Sequence, residues 1–190
     1  MSIEAASPEA AVRLFQQHLN RVLNTILTDY RLEFLKASGE LYYLSFFTKR
    51  DEPVAVKLRK RPWHLFLSQT LAMNKLKNGR FELKTAAYAY RIQASSAIDE
   101  EPFVRFEYVG TRSDPNFPYC RNHVQFHKDY DETVPPFLPC KFHVPTGWVT
   151  VESVIRFAVA DLRVPPAKSN WQQILRASEE QFKQWTARTV

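Results

Sequence analysis

The residues best suited to chemistry fall in two short pairs. Cys120-Arg121-Asn122-His123 and Cys140-Lys141-Phe142-His143 both read C-x-x-H, with sixteen residues between His123 and Cys140. Thiolates and imidazoles at such spacing have the make-up of a structural zinc site. The flanking residues point elsewhere. Val124 and Phe126 alternate with His123, Gln125 and His127, the pattern of a strand with one apolar face. Residues three apart on a strand face opposite ways, so Cys140 and His143 diverge unless Cys140 lies in a turn. The strand reading sends His123, His127 and His143 out from one polar face, joined by Gln125, Asp129 and Lys141. Three imidazoles with a carboxylate could hold a catalytic divalent metal. Two imidazoles with a lysine could instead do metal-free acid–base work on a phosphodiester, because histidine titrates near neutral pH. His123, His127 and His143 are therefore the candidate catalytic residues of a small nuclease or hydrolase. The plainer reading makes them hydrogen-bonded side chains on the solvent face of a sheet.

A second candidate surface is cationic. From Lys49 to Arg91 there are eleven Lys or Arg against three acids, a local charge of +8 within a chain of net charge +6. Its densest run is Lys57-Leu58-Arg59-Lys60-Arg61-Pro62-Trp63-His64. Cations beside an aromatic suit single-stranded nucleic acid, with charge tracking phosphates and a ring stacking on a base. Lys57, Arg59, Lys60, Arg61 and Trp63 are the candidate nucleic-acid-binding residues. The plainer reading is an edge strand protected from aggregation by charge. His64 sits beside this run, where it could touch a phosphate. His18 falls off the apolar stripe of its helix and reads as a surface residue.

These residues need a scaffold. Ser7-Pro8-Glu9 starts a helix, and Val12, Phe15, Leu19, Val22 and Ile26 form its apolar stripe to about residue 28. Tyr30 to Lys36 and Leu41 to Thr48 read as a hairpin turning at Gly39. Val54, Val56 and Leu58 alternate with polar or small neighbours, as in a half-buried strand. Pro62-Trp63 opens a predicted mid-chain helix through about Lys77, ended by Asn78-Gly79. Strands follow over Phe81 to Gln93, Phe103 to Tyr108, His123 to Lys128 and Lys141 to Val144. Thr150 caps a helix carrying Val151, Val154, Ile155, Ala158, Val159 and Leu162. The last helix, capped by Asn170, carries Trp171, Ile174, Leu175, Ser178, Phe182 and Trp185 on one face. The expected fold is a single α+β domain over residues 1–190. It has a strongly curved antiparallel sheet of five to seven strands, an N-terminal helix, one mid-chain helix and two C-terminal helices.

The stretch from His143 to Glu152, running on through Val154-Ile155-Arg156-Phe157, resembles an uncharacterised bacterial protein family, as do Tyr119 to Gln125 and Trp171 to Glu179. No activity is established for that family, so the resemblance implies none. Much fainter is a likeness to small toxins of toxin–antitoxin pairs, with strand-rich middles and histidines near the same place.

Four glycines, none close to another, leave no dinucleotide fingerprint and no phosphate-binding loop. The first residues carry no positive leader or apolar run, and two cysteines are too few for a disulfide framework. A reduced, cytoplasmic home is expected, with nucleic acid or a protein as partner and no membrane. The leading expectation is a nucleic-acid-binding protein. The alternatives are the histidine-based hydrolase and a protein-interaction module of the toxin–antitoxin or defence type, for which the proline loop from Pro135 to Pro139 is a candidate surface.

Overall fold

The computed structural model describes residues 3–110, 122–127 and 141–186. The chain runs β1 (Glu4–Ala5), α1 (Pro8–Ile26), β2 (Glu33–Lys36), β3 (Leu41–Ser45), β4 (Val56–Lys57), β5 (His64–Lys75), β6 (Phe81–Gln93), β7 (Val104–Val109), β8 (Asn122–His127), β9 (Lys141–Pro145), α2 (Val151–Ala160) and α3 (Trp171–Thr186). The architecture is α+β, with a large antiparallel sheet and, among the described residues, three helices. Its main path is β2-β3-β5-β6-β7-β8-β9, with β1 beside β6 and β4 beside β5.

Local signals account for the helices. The Ser7 side chain accepts from the Ala10 amide at 3.2 Å, with Pro8 in the first turn. Thr150 does the same for Ser153 at 3.2 Å at the start of α2. Val12, Phe15, Leu19, Val22 and Ile26 are all buried, as their stripe predicts. Each such side chain contributes about 1.5–3 kcal/mol through its removal from water.

The predicted helix over 62–77 is instead the strand β5. Its odd positions Leu65, Leu67, Leu71 and Met73 are buried in the core. Leu, Met, Ala and Lys favour helices in isolation, but here β3 pairs on one side and β6 on the other. Non-local pairing and burial override that weak preference. The strong curvature is also corrected. The sheet is open and not strongly curled: β2 and β9 are its two ends. Among the described residues nine strands form, beyond the five to seven expected, because β5 takes the place of the predicted helix and the two-residue β1 pairs with β6. Closure needs repeated bulges and glycine corners. In the described β5–β6 pairing there is a single register shift, at Thr70/Leu71. There the Ala86 carbonyl accepts from the Gly110 amide at 2.9 Å, and a Cβ on Gly110 would stand 2.8 Å from that same oxygen.

The three helices cover one face. Phe15, Leu19 and Leu23 of α1, Val154 and Ile155 of α2 and Leu175 of α3 share a core with Leu67, Leu71, Tyr90, Ile92, Val104 and Val124 of the sheet. The opposite face carries Ser68, Thr70, Ala87, Ala89, Arg91, Arg105, Glu107, His123 and Gln125, by strand alternation and register. Among the described residues no helix is long and apolar enough to cross a membrane.

Candidate functional site

The register aligns a polar row across the helix-free face. Phe66 lies opposite Arg91, Arg91 opposite Arg105, Arg105 opposite Gln125, and Gln125 opposite His143. The next row runs Ser68, Ala89, Glu107, His123 and Pro145. Directly opposed side chains on an antiparallel pair point the same way, with Cβ atoms about 5 Å apart. Positions 123, 125 and 127 thus share a face with 143, as the alternation predicts. For His127 and His143 the backbone register is what is described. Cys120, Cys140 and Asp129 lie outside the described residues, and so does the loop from Pro135 to Pro139. Among the described residues no group of three or more His, Cys, Asp or Glu could hold a metal ion.

His123 differs from a solvent-facing histidine: it is buried, as is Gln125. Its Nε2 lies 3.4 Å from Glu107 Oε2, and the same carboxylate oxygen takes Arg105 Nη2 at 2.9 Å. Arg91 stands on the far side of Arg105. Its guanidinium sits 4.9 Å from the centre of the Phe66 ring and donates to the Ile98 carbonyl at 3.3 Å. The Nε atoms of Arg91 and Arg105 are buried with no hydrogen-bond partner among the described residues. Burial and the neighbouring Arg105 charge both lower the Arg91 pKa from its ordinary value, with Glu107, Tyr43 and Glu101 acting the other way. An arginine nevertheless stays protonated. Two guanidinium groups thus stand directly opposed, with Glu101 and Glu107 near them, and like charges directly opposed on a sheet repel.

Arg91 and Glu107 are absent from the candidates read from the sequence. The alternation Arg105-Phe106-Glu107 marks a polar strand face, but that Arg91 meets Arg105 follows from pairing alone.

The residues of the basic segment stand in different settings. Arg59 donates through Nη2 to the Asn24 carbonyl at 3.3 Å and to Asp29, and its amide donates to the Leu27 carbonyl at 3.1 Å. These carbonyls end α1, where a cation complements the helix dipole. Arg61 donates through Nε and Nη2 to the Arg163 carbonyl at 2.9 and 2.6 Å. Arg163, at φ 58, occupies the left-handed turn beyond α2. Trp63 is half-buried, edge-on to Phe103 at 6.5 Å. His64 faces the Ala94 carbonyl at 3.1 Å. Lys57 and Lys60 are exposed. Arg59→Ala is therefore expected to reduce stability by about 1–2 kcal/mol, against less than about 0.5 kcal/mol for Lys57→Ala. Urea midpoints of the two variants decide this, and equal midpoints contradict it.

His18 is buried, contrary to the surface reading. Its Nε2 lies 2.9 Å from Ser178 Oγ and 3.3 Å from Glu152 Oε1, while Ser178 Oγ donates to Glu152 Oε1 at 2.6 Å. These residues share the chemistry of a hydrolytic triad without its order. In a working triad the carboxylate holds Nδ1 and the serine meets Nε2. Here Glu152 shares Nε2 with the serine and takes the serine proton itself, while Arg21 Nη2 faces Nδ1 at 3.5 Å. The adjoining cavity between sheet and helices, lined by Gln69, Tyr90, Thr150 and Glu152, measures about 10 Å³. That is room for one water, not for a substrate. This cluster ties α1, α2 and α3 together.

No family model matches the sequence, no curated protein is significantly similar to it, and no solved structure matches it. The resemblance of the His143–Glu152 stretch therefore carries no residue role into the site.

Proposed function

We propose that the chain binds a small phosphate- or carboxylate-bearing ligand on the helix-free face of its sheet. In this reading Arg91 and Arg105 hold the anion beside the Glu107–His123 pair. The observation that carries it is the direct opposition of two half-buried arginines, Arg91 and Arg105, whose Nε atoms are buried with no hydrogen-bond partner among the described residues. An anion between them would relieve their repulsion and accept charge-assisted hydrogen bonds from planar donors. Small side chains at Ser68, Thr70, Ala87 and Ala89 leave the adjoining floor low.

Calorimetric titration with inorganic phosphate tests this at low and high salt. Wild-type protein is expected to bind with an affinity that falls as salt rises. Arg91→Ala should weaken binding about tenfold or more, the loss of one charge-assisted hydrogen bond. Lys57→Ala should leave it unchanged. Equal binding by wild type and a folded Arg91→Ala variant removes the reading.

A second reading is phosphodiester hydrolysis by His123, His127 and His143. It is supported by the register that sets position 143 opposite 125, between 123 and 127 on one face. Incubation of wild type and His127→Ala with RNA, with and without a chelator, separates a metal-dependent from a metal-free version. An intact substrate after incubation with wild type excludes both.

A further inference from the structure

We propose that the cavity between sheet and helices is a binding site for a single water molecule, which joins Gln69 of β5 to Glu152 of α2. The site lies on the face opposite the arginine row and does not depend on it. The cavity measures about 10 Å³ and is lined by Gln69, Tyr90, Thr150 and Glu152, with Leu19 and Trp148 among its apolar walls. Volume alone does not decide what such a space holds, because apolar cavities of this kind stay dry. The deciding atom belongs to Gln69. This side chain is 3% exposed. Its Nε2 donates to Tyr90 Oη at 2.6 Å, while its Oε1 is buried with no hydrogen-bond partner among the described residues. Turning the amide over does not resolve this. Tyr90 would then donate to Oε1, and the amino group would be left over. In either orientation one polar atom of a buried amide is unmet, a cost that a bridging water removes.

Two further groups complete the site. Burial raises the Tyr90 pKa well above its ordinary value, so the phenol keeps its proton. Having accepted from Gln69, it has that proton to donate. A carboxylate offers about four acceptor sites. Ser178 and His18 both meet Glu152 at Oε1, so acceptor capacity remains. A water accepting from Tyr90 and donating to Gln69 and Glu152 makes the usual complement for a buried water, about three bonds. It extends the His18–Glu152–Ser178 network from the helices to β5 and β6. Trp148 lines the same cavity and is 42% exposed, so its ring is the wall between this water and solvent.

A high-resolution crystal structure of the full chain, with water-selective nuclear Overhauser spectra in solution, tests the proposal. The expected result is one density peak of water weight within hydrogen-bonding distance of both Gln69 and Glu152, and a water cross-peak to the Gln69 side-chain amide. Gln69→Met, similar in length but without the amide, should lose the density peak, with circular dichroism confirming its fold. A direct Gln69–Glu152 or Gln69–Thr150 hydrogen bond and no peak in wild type overturns the proposal. So does a peak that persists in the folded Gln69→Met variant. A wild-type melting temperature that rises when sodium chloride is exchanged for potassium or ammonium chloride at equal ionic strength overturns it as well, by assigning the site to a cation.

Discussion

Glu152→Ala is expected to lower the unfolding free energy by about 3 kcal/mol, because removing one partner of a buried charged network leaves the others uncompensated. Glu152 is 1% exposed, and its carboxylate accepts from Ser178 Oγ at 2.6 Å with His18 Nε2 at 3.3 Å. The Trp185 ring closes over His18 at 4.7 Å, edge-on. The alanine variant strands an imidazole and a hydroxyl between three helices. Replacing all three polar residues by apolar ones of similar size, as in His18→Leu with Glu152→Met and Ser178→Ala, should cost less than the single change. Apolar packing needs no desolvated charge. Urea denaturation of the single and triple variants measures the difference. A single variant that is the more stable of the two contradicts the assignment.

The same network sets an acid limit. Burial pushes the Glu152 pKa up, but the hydrogen bonds from His18 and Ser178 outweigh it, and the net shift is down. A carboxyl whose folded pKa lies below its unfolded value contributes stability that is fully present above the unfolded pKa. That contribution is lost as pH falls through the folded pKa. Wild type should thus lose stability relative to Glu152→Gln as pH drops below the ordinary carboxylate range of about 4.3. Thermal melts of both proteins across that range show whether the curves converge on acidification.

The second large effect concerns β5. Leu67→Ala and Leu71→Ala are each expected to cost about 3 kcal/mol, since both side chains are buried between sheet and helices. Ser68→Ala and Thr70→Ala, which face away from the helices, should cost less than about 1 kcal/mol. The resulting alternation has a period of two. A helix over the same residues would group its costs at three and four. Denaturation midpoints along 67–71 therefore report the strand directly, and a period near 3.6 contradicts it.

That segment is also where reading along the chain reaches its limit. Leu65, Leu67, Leu71 and Met73 alternate, but Phe66 and Leu76 add apolar positions that fit a helix as well. Pro62 and Gly79 are ordinary helix punctuation. Leucine, methionine, alanine and lysine lean the same way. What reverses the preference is β3 on one flank and β6 on the other, each supplying backbone partners. His18 carries the same lesson. It lies off the apolar stripe of α1, yet α2 and α3 bring Glu152 and Ser178 to it from 134 and 160 residues away. Arg59 reads as a free cation until the end of α1 is seen beneath it.

Within the chain itself were the capped helices α1 and α2, the face of α3, the hairpin at Gly39 and the alternation that aligns His123, Gln125 and His127. Each depends on neighbours a few residues apart, so periodicity and capping residues suffice to reveal it. The three-dimensional structure alone decided that β5 is a strand, that Arg91 meets Arg105, that Glu107 meets His123, and that His18 is buried. Those outcomes depend on the register between strands and on helices arriving from far along the chain, and side-chain spacing carries no record of either.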